Sequence, residues 1–214
     1  MLAGQRWVLE GDSTTLVGYD SGDPVPDTND SFRHLIEAQG GIVFHDFSAP
    51  AKRMTPFSTN RIYGLTMCDN REGLGIVSSL FSPLLSGAIY CIGFNDFKHD
   101  PISLERFKAE YKAKVISDFE KYSIPAIVLL TPFPTLQSEV NAESETLDDY
   151  RDAVEDIATE VAALGHNCYS IDTSSWVPSN SAYFLIDGVH LRENAHASIA
   201  SNLYTAMQGL GLWS

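Results

Sequence analysis

With 214 residues, 44% of them hydrophobic, the chain is long enough to bury one sizeable core, and nothing in its composition divides it, so we expect a single domain across residues 1–214. A formal net charge of -14 disfavours nucleic acids and anionic membranes as partners, because both bind clusters of lysine and arginine. The apolar runs are too short to cross a bilayer, so no stable membrane insertion is expected.

Short, nearly continuous apolar runs alternate with longer stretches of helical period along the chain. This alternation is typical of a parallel sheet that is covered by helices on both faces, so the predicted fold class is α/β. Strands are predicted at residues 6–10, 41–47, 87–93, 126–131 and 168–171. Helices are predicted at residues 30–39, 104–122, 145–164 and 192–208.

The segment 139–160 is strongly acidic, and paired carboxylates of this kind can bind a metal. Its apolar residues recur at spacings of three and four, however: Leu147, Tyr150, Val154, Ile157 and Val161. We therefore interpret the segment as an amphipathic helix with a solvated acidic face. No histidine or cysteine spacing suggests a metal site, and no phosphate-binding glycine loop is present, so we expect neither metal nor cofactor.

The cysteines and the N-terminal residues give two indications of the cellular compartment in which the protein acts. Cys68, Cys91 and Cys168 are too dispersed for a disulfide framework, and their odd number leans toward a reducing compartment such as the cytoplasm. The N-terminus has no basic flank followed by a hydrophobic core, which is the pattern of a secretory signal. The compartment and the oligomeric state both stay open at this stage.

Three polar clusters each follow an apolar run. These clusters are Gly11-Asp12-Ser13 after residues 7–9, Gly93-Phe94-Asn95-Asp96 after residues 88–92, and Asp187-Gly188-Val189-His190 after residues 183–186. In an open parallel sheet the ligand crevice lies beyond the carboxyl ends of the strands, so we expect the three clusters to meet at one edge.

These residue types suit acyl transfer. A serine at a strand-to-loop junction is where hydrolases place a nucleophile, and Ser13 lies at such a junction. A serine hydroxyl needs a base within hydrogen-bond reach, a role for which the imidazole of His190 is suited. Asp187, three residues upstream, is positioned in sequence to accept a hydrogen bond from the other ring nitrogen and so to fix the tautomer.

Together the three clusters resemble the SGNH (GDSL-type) hydrolase family, whose blocks read Gly-Asp-Ser, Gly-x-Asn-Asp and Asp-x-x-His in this order. The resemblance runs from about residue 7 to about residue 204. It implies a flavodoxin-like, three-layer α/β/α sandwich with a five-stranded parallel sheet. It also implies a serine hydrolase with Ser13, Asp187 and His190 as its catalytic residues.

The resemblance further implies an oxyanion hole formed by the Asn95 side chain, the Ser13 backbone N–H and a third backbone N–H. In the family a glycine after the second strand usually supplies the third donor. Ala49 occupies that position here, and Gly64 is the nearest suitable glycine. We favour Ala49, since the hole uses the main chain and not a side chain.

Other residues near the clusters have two possible roles. In the long connection at residues 50–75, Met54, Phe57, Tyr63 and Met67 line an acyl pocket or merely anchor the loop. Trp176 is either a platform for a sugar ring or a side chain packed against a loop. Asp12 and Asp96 are expected to order their loops through hydrogen bonds.

The function expected is hydrolysis of a small-molecule ester, with a short-acyl ester such as an acetylated sugar favoured, because the acidic chain disfavours strongly anionic substrates. A shared site does not separate this activity from that of a lysophospholipase, a thioesterase or an acyltransferase. A non-catalytic ligand-binding module on the same fold is the alternative from a different class.

Overall fold

The computed structural model describes residues 4–15, 31–48, 53–54, 85–98, 103–137 and 140–214. In these residues the strands, in chain order, are β1 (Gln5–Gly11), β2 (Ile42–Asp46), β3 (Leu85–Cys91), β4 (Ile127–Leu130) and β5 (Cys168–Ile171). The helices are α1 (Phe32–Gln39), α2 (Phe94–Lys98), α3 (Leu104–Tyr122), α4 (Leu147–Ala162) and α5 (Glu193–Gly209). Every predicted strand and helix forms, with small differences at the ends.

The strands form one five-stranded sheet in the order β2-β1-β3-β4-β5, and every pairing is parallel. The predicted α/β class is therefore confirmed. Strands β1 and β3 are paired on both sides, which places the segments that follow them near the middle of one sheet edge. The chain order reverses next to β1, and this is where an open α/β sheet forms its crevice.

Successive strand residues point to opposite faces of the sheet, and both faces are buried. Val8, Tyr90 and Leu129 pack with the apolar sides of α3 and α4. Trp7 and Ile89, on the other face, pack in a second cluster with α1 and α5. The molecule thus has the three-layer α/β/α arrangement that the resemblance implies.

Helix α4 is the amphipathic helix that the acidic segment predicts. Thr146 and Asp149 form a reciprocal capping box at its start. Its apolar residues, including Tyr150 and Val154, are buried, while Asp152 and Asp156 remain exposed. In the part of the chain that the structure describes, no helix is both long and apolar enough to span a membrane.

Candidate active site

A tight turn directly after β1 holds Ser13 at the carboxyl edge of the sheet. The backbone N–H of Thr15 and its hydroxyl both donate to the carbonyl of Asp12, at 3.2 and 2.7 Å. This turn brings Thr15 back against the strand end, where a Cβ on Gly11 would lie only 2.0 Å from the Thr15 Oγ1. The first position of the motif therefore has to be glycine.

The carboxyl group of Asp12 is buried beneath this turn, with 1% of the residue exposed. Its Oδ1 accepts hydrogen bonds from the Thr14 N–H at 2.8 Å and from the Thr14 hydroxyl at 2.7 Å. Burial raises the pKa of Asp12 to about 6, the hydrogen bonds from Thr14 oppose the rise, and the negative charge of Asp96 adds to it. Asp12 thus orders the backbone around Ser13, which agrees with the expectation from the sequence.

His190 and Asp187 lie on a turn that precedes α5. The apolar run at residues 183–186 does not join the sheet: Phe184 forms an isolated antiparallel bridge with Leu191, and the Leu185 N–H donates to the His190 carbonyl at 2.7 Å. Ile186 is 82% exposed, so it cannot belong to a buried strand. The run is therefore not a strand of the sheet, in agreement with the five strands predicted, and local pairing across the turn positions this cluster instead.

The turn positions Asp187 against the backbone and the ring of His190. Asp187 Oδ1 accepts the N–H groups of Val189 and His190 at 2.9 and 3.0 Å, and Oδ2 lies 2.5 Å from His190 Nδ1. Gly188 has a φ of 70°, in the left-handed region that favours glycine. Burial alone would raise the pKa of Asp187, but the hydrogen bonds from the His190 ring and from the two backbone groups lower it, so the carboxylate stays ionised.

The structure brings Ser13, His190 and Asp187 into one chain of hydrogen bonds. The His190 Nε2 lies 2.9 Å from the Ser13 Oγ, and the opposite ring nitrogen contacts Asp187. The side chains of His190 and Asp187 are 16% and 25% exposed, whereas Ser13 is buried. The arrangement can move a proton from the serine hydroxyl to the imidazole.

Asn95 lies in the short helix α2, which begins three residues after β3 ends. The sequence predicts no helix there, because five residues are too few for a helical period to be visible. Asn95 is 3% exposed, and Asp96 beside it is fully buried and accepts the Met54 N–H at 3.0 Å. Asn95 and Ser13 thus both follow central strands at the same edge of the sheet.

The aromatic residues beside Asn95 belong to the core. Phe94 and Phe97 are 5% and 2% exposed, and the ring of Phe97 packs edge-on against Tyr150, with the centroids 5.7 Å apart. Met54 is fully buried in the same cluster, and Trp176 is buried on the opposite face of the sheet. Met54 therefore anchors its loop, and Trp176 offers no exposed platform for a sugar ring.

Several predicted site residues lie outside the described residues. They are the two candidates for the third oxyanion donor, Ala49 and Gly64, and the loop residues Phe57, Tyr63 and Met67. Within the described ranges, no group of three or more His, Cys, Asp or Glu side chains is arranged to hold a metal ion.

The loop after β4 holds the turn that carries Asp187 and His190 in place, and no sequence motif signals this role. The Leu136 N–H and the Thr135 hydroxyl donate to the carbonyl of Gly188, at 2.8 and 3.1 Å. The side-chain amide of Gln137 donates to the carbonyl of Asp187 at 3.0 Å. These contacts connect residues some fifty positions apart, so only the folded chain reveals them.

Comparison with known proteins identifies the fold. No model of a known protein family matches the sequence, and a comparison with curated proteins finds no match. Solved structures do match it: a putative arylesterase from Agrobacterium tumefaciens shares 20% identity at a TM-score of 0.67, with 96% of this chain and 99% of that chain covered. The chain thus shares its fold with this esterase, in agreement with the fold that the three motifs imply.

Two further matches illustrate the range of proteins with this fold. A mutant of an acetyl-xylooligosaccharide esterase from Geobacillus is 17% identical at a TM-score of 0.60, covering 96% of this chain and 95% of that one. The salicylyl-acyltransferase SsfX3 from a tetracycline biosynthetic pathway is 17% identical at a TM-score of 0.69. This last match covers 98% of the present chain and 55% of SsfX3.

Proposed function

We propose that this protein is a serine esterase that hydrolyses carboxylic esters through an acyl-enzyme on Ser13. The observation that carries the proposal is the chain of hydrogen bonds from the Ser13 Oγ through the His190 ring to Asp187. A non-catalytic binding module has no need of a nucleophile, a base and an orienting carboxylate in hydrogen-bond contact. The esterase therefore accounts for the arrangement better than the binding module does.

The proposed reaction has two steps. The Ser13 Oγ attacks the ester carbonyl carbon while His190 Nε2 takes the hydroxyl proton, and His190 then gives that proton to the departing alcohol. A water molecule next attacks the acyl-enzyme, transfers a proton to His190 and releases the acid, and the proton returns to Ser13. Asp187 holds the imidazole in the required tautomer and stabilises the imidazolium that forms in each step.

The oxyanion hole in this proposal consists of the Ser13 N–H, the Asn95 side-chain amide and the Ala49 N–H. Such donors act on the charge that develops on the ester oxygen in the transition state. The position of Asn95 at the sheet edge, and the hydrogen bonds by which Asp12 orders the turn at Ser13, support the first two assignments. The Ala49 assignment rests on the resemblance alone.

The favoured substrate is a short-acyl ester of a sugar, such as an acetylated saccharide. Two observations support this class: the fold is shared with an acetyl-xylooligosaccharide esterase, and the net charge of -14 disfavours anionic substrates and membrane surfaces. We propose that residues 1–214 act as one hydrolase domain on this small molecule. The likeness to a salicylyl-acyltransferase keeps acyl transfer as the second candidate, in which an acceptor alcohol replaces water.

The deciding experiment measures hydrolysis of p-nitrophenyl acetate by the wild type, by Ser13→Ala and by the control Ser201→Ala, which changes an exposed serine on α5. We expect a loss of about a thousandfold or more in Ser13→Ala and none in the control, with circular dichroism verifying the fold of each protein. A fluorophosphonate probe should label the wild type at Ser13 with loss of fluoride. Equal rates in the three folded proteins, together with no labelling, would overturn the serine mechanism.

Two extensions of the assay separate the substrate classes. A p-nitrophenyl ester series should favour acetate, and a clear preference for chains of about eight carbons or more would replace the sugar ester with a lysophospholipase-like substrate. Product analysis with an added sugar or alcohol acceptor separates hydrolysis from transfer, because only a transferase forms the new ester.

A further inference from the structure

A cavity of about 310 Å³ opens beside the turn that carries Asp187 and His190. It lies between the loop after β4, the first turn of α4 and the segment after β5, all at the carboxyl edge of the sheet. Its polar lining comprises Thr135, Gln137, Thr146, Asp148, Arg151, Ser174 and Ser179. Nothing in the proposed reaction uses this cavity, although it shares a wall with the candidate active site.

The shared wall consists of the loop after β4. Thr135 and Gln137 line the cavity, and the same two side chains donate to the carbonyls of Gly188 and Asp187, at 3.1 and 3.0 Å. The cavity therefore borders the Asp187 end of the hydrogen-bonded chain and not the Ser13 end. A ligand in the cavity would therefore contact the Asp187 side of the site and not the serine.

The charges of the lining disfavour an anion. Arg151 is the cation among the lining residues, but its guanidinium pairs with the Asp148 carboxylate and its Nε donates to the Pro132 carbonyl at 3.0 Å. The positive charge is therefore neutralised in place. The remaining polar groups are hydroxyls and the amide of Gln137. Thr135, Ser174 and the Gln137 amide nitrogen already donate within the protein, to Gly188, Asp172 and Asp187. Their oxygens remain able to accept, and the Gln137 Oε1 has no partner among the described residues, which suits an uncharged ligand that donates from hydroxyl groups.

The lining also has an apolar part, formed by Pro134 and Leu147. A pyranose ring combines apolar C–H faces with a rim of hydroxyl groups, and so matches a wall that alternates apolar and hydroxyl-bearing side chains. The volume is at the lower end of the range of about 300–1,000 Å³ for ligand sites, which is suited to a single ring and not to an extended chain.

We propose that this cavity is a subsite for a pyranose ring of the alcohol part of the substrate, adjacent to the ring that carries the ester. The proposal rests on the sugar-ester activity proposed above and adds a specific expectation. An acetylated disaccharide engages the subsite, whereas an acetylated monosaccharide or p-nitrophenyl acetate does not.

The first test fills the cavity with a large side chain. Ser179→Trp changes an exposed residue of the lining, and Ser181→Trp is a matched control at an exposed serine outside it. The readout is the ratio of kcat/KM for mono-acetylated xylobiose to kcat/KM for p-nitrophenyl acetate. We expect this ratio to fall roughly tenfold or more in Ser179→Trp and to keep its wild-type value in Ser181→Trp. An unchanged ratio in Ser179→Trp overturns the subsite.

The second test does not depend on hydrolysis. Unmodified xylobiose is titrated into the Ser13→Ala protein, and backbone NMR shifts should change at Thr135 and Ser174, which line the cavity. The shifts should disappear in the Ser13→Ala/Ser179→Trp double variant. Absence of binding, or shifts that persist when the cavity is filled, overturns the subsite. Failure of the esterase proposal appears separately, as p-nitrophenyl acetate hydrolysis that does not depend on Ser13.

Discussion

The His190 Nε2 lies 2.9 Å from the Ser13 Oγ, although 177 residues separate the two in sequence. Ser13 owes its position to β1, which is paired on both sides within the sheet. His190 owes its position to a turn that no sheet strand supports directly, and the loop after β4 holds that turn through three hydrogen bonds. The geometry of the site thus depends on how accurately the turn is fixed to the edge of the sheet.

The hydrogen bond from His190 to Asp187 should be essential for turnover. In the wild type the His190 Nδ1 lies 2.5 Å from the Asp187 carboxylate. Asp187→Asn retains the shape of the side chain but places an amide against this nitrogen. An asparagine favours the wrong imidazole tautomer, so we expect kcat for p-nitrophenyl acetate to fall by roughly 10³ to 10⁴. Steady-state kinetics on the folded variant measure the effect.

A matched control for this substitution is Asp172→Asn. Asp172 also accepts a backbone N–H two residues ahead, from Ser174 at 2.8 Å, but it has no contact with His190. Its replacement should leave kcat near the wild-type value. Comparable losses in both variants would mean that the carboxylates act only by ordering their turns.

The Asn95 side chain should act in the transition state and not in substrate binding. Removal of one oxyanion donor typically costs roughly 10² to 10³ in kcat, so Asn95→Ala should lower kcat by about this factor with little change in KM. Asn202→Ala, on the exposed side of α5, is the control. A rise in KM at constant kcat would instead place Asn95 in ground-state binding.

The buried Asp12 should destabilise the folded protein at neutral pH. Its folded pKa of about 6 exceeds the ordinary value of 3.8, so the folded state binds more protons between these values, and stability is lost as pH rises through this range. Asp12→Asn keeps an oxygen that can accept both hydrogen bonds from Thr14 and removes the titration. We expect the variant to be more stable than the wild type at pH 7 by up to about 3 kcal/mol.

Denaturant unfolding at several pH values measures this gain, which should shrink as the pH approaches 4. Asp152→Asn makes the same change of charge on the exposed face of α4 and should show no such trend. A gain that is constant across the pH range would show that Asp12 is not the titrating group.

The buried His196 should have the opposite effect on stability. Its ring is fully buried and stacks on Phe32 at a centroid distance of 6.0 Å, and neither ring nitrogen has a hydrogen-bond partner in the described part of the chain. Burial lowers the pKa of His196 from 6.5 to about 4, so its contribution to stability is present above pH 6.5 and is lost as the pH falls to 4.

Replacement of His196 should therefore reduce acid sensitivity. We expect His196→Phe to gain about 3 kcal/mol of stability relative to the wild type between pH 6.5 and pH 4. His196→Leu is a second variant with a smaller side chain. If phenylalanine overpacks the site, the strain lowers the stability of His196→Phe equally at every pH, so the pH dependence of both variants still reports the loss of the titrating ring. Identical pH profiles in the wild type and both variants would contradict the assignment.

The sequence alone determined which segments form the sheet and which residue types serve the site. In runs such as residues 127–130 every residue is apolar, because a central parallel strand is covered by helices on both faces. Such runs can therefore be predicted as strands without any structure. Gly11, Ser13, Asp187 and His190 are recognisable because short motifs preserve both residue type and spacing. The amphipathic period of α4 was equally clear.

The tertiary structure decided everything that depends on which distant segments meet. The run before Asp187 pairs across its own turn and not with the sheet, and α2 is too short to leave a periodic signal. The support of the turn by Gln137 and the cavity beside it both arise from contacts between separate loops. The pKa values of Asp12 and His196 likewise follow from burial by the folded chain. Periodicity in sequence reports that a residue is buried, but not which atoms bury it, and those atoms determine the chemistry of the site.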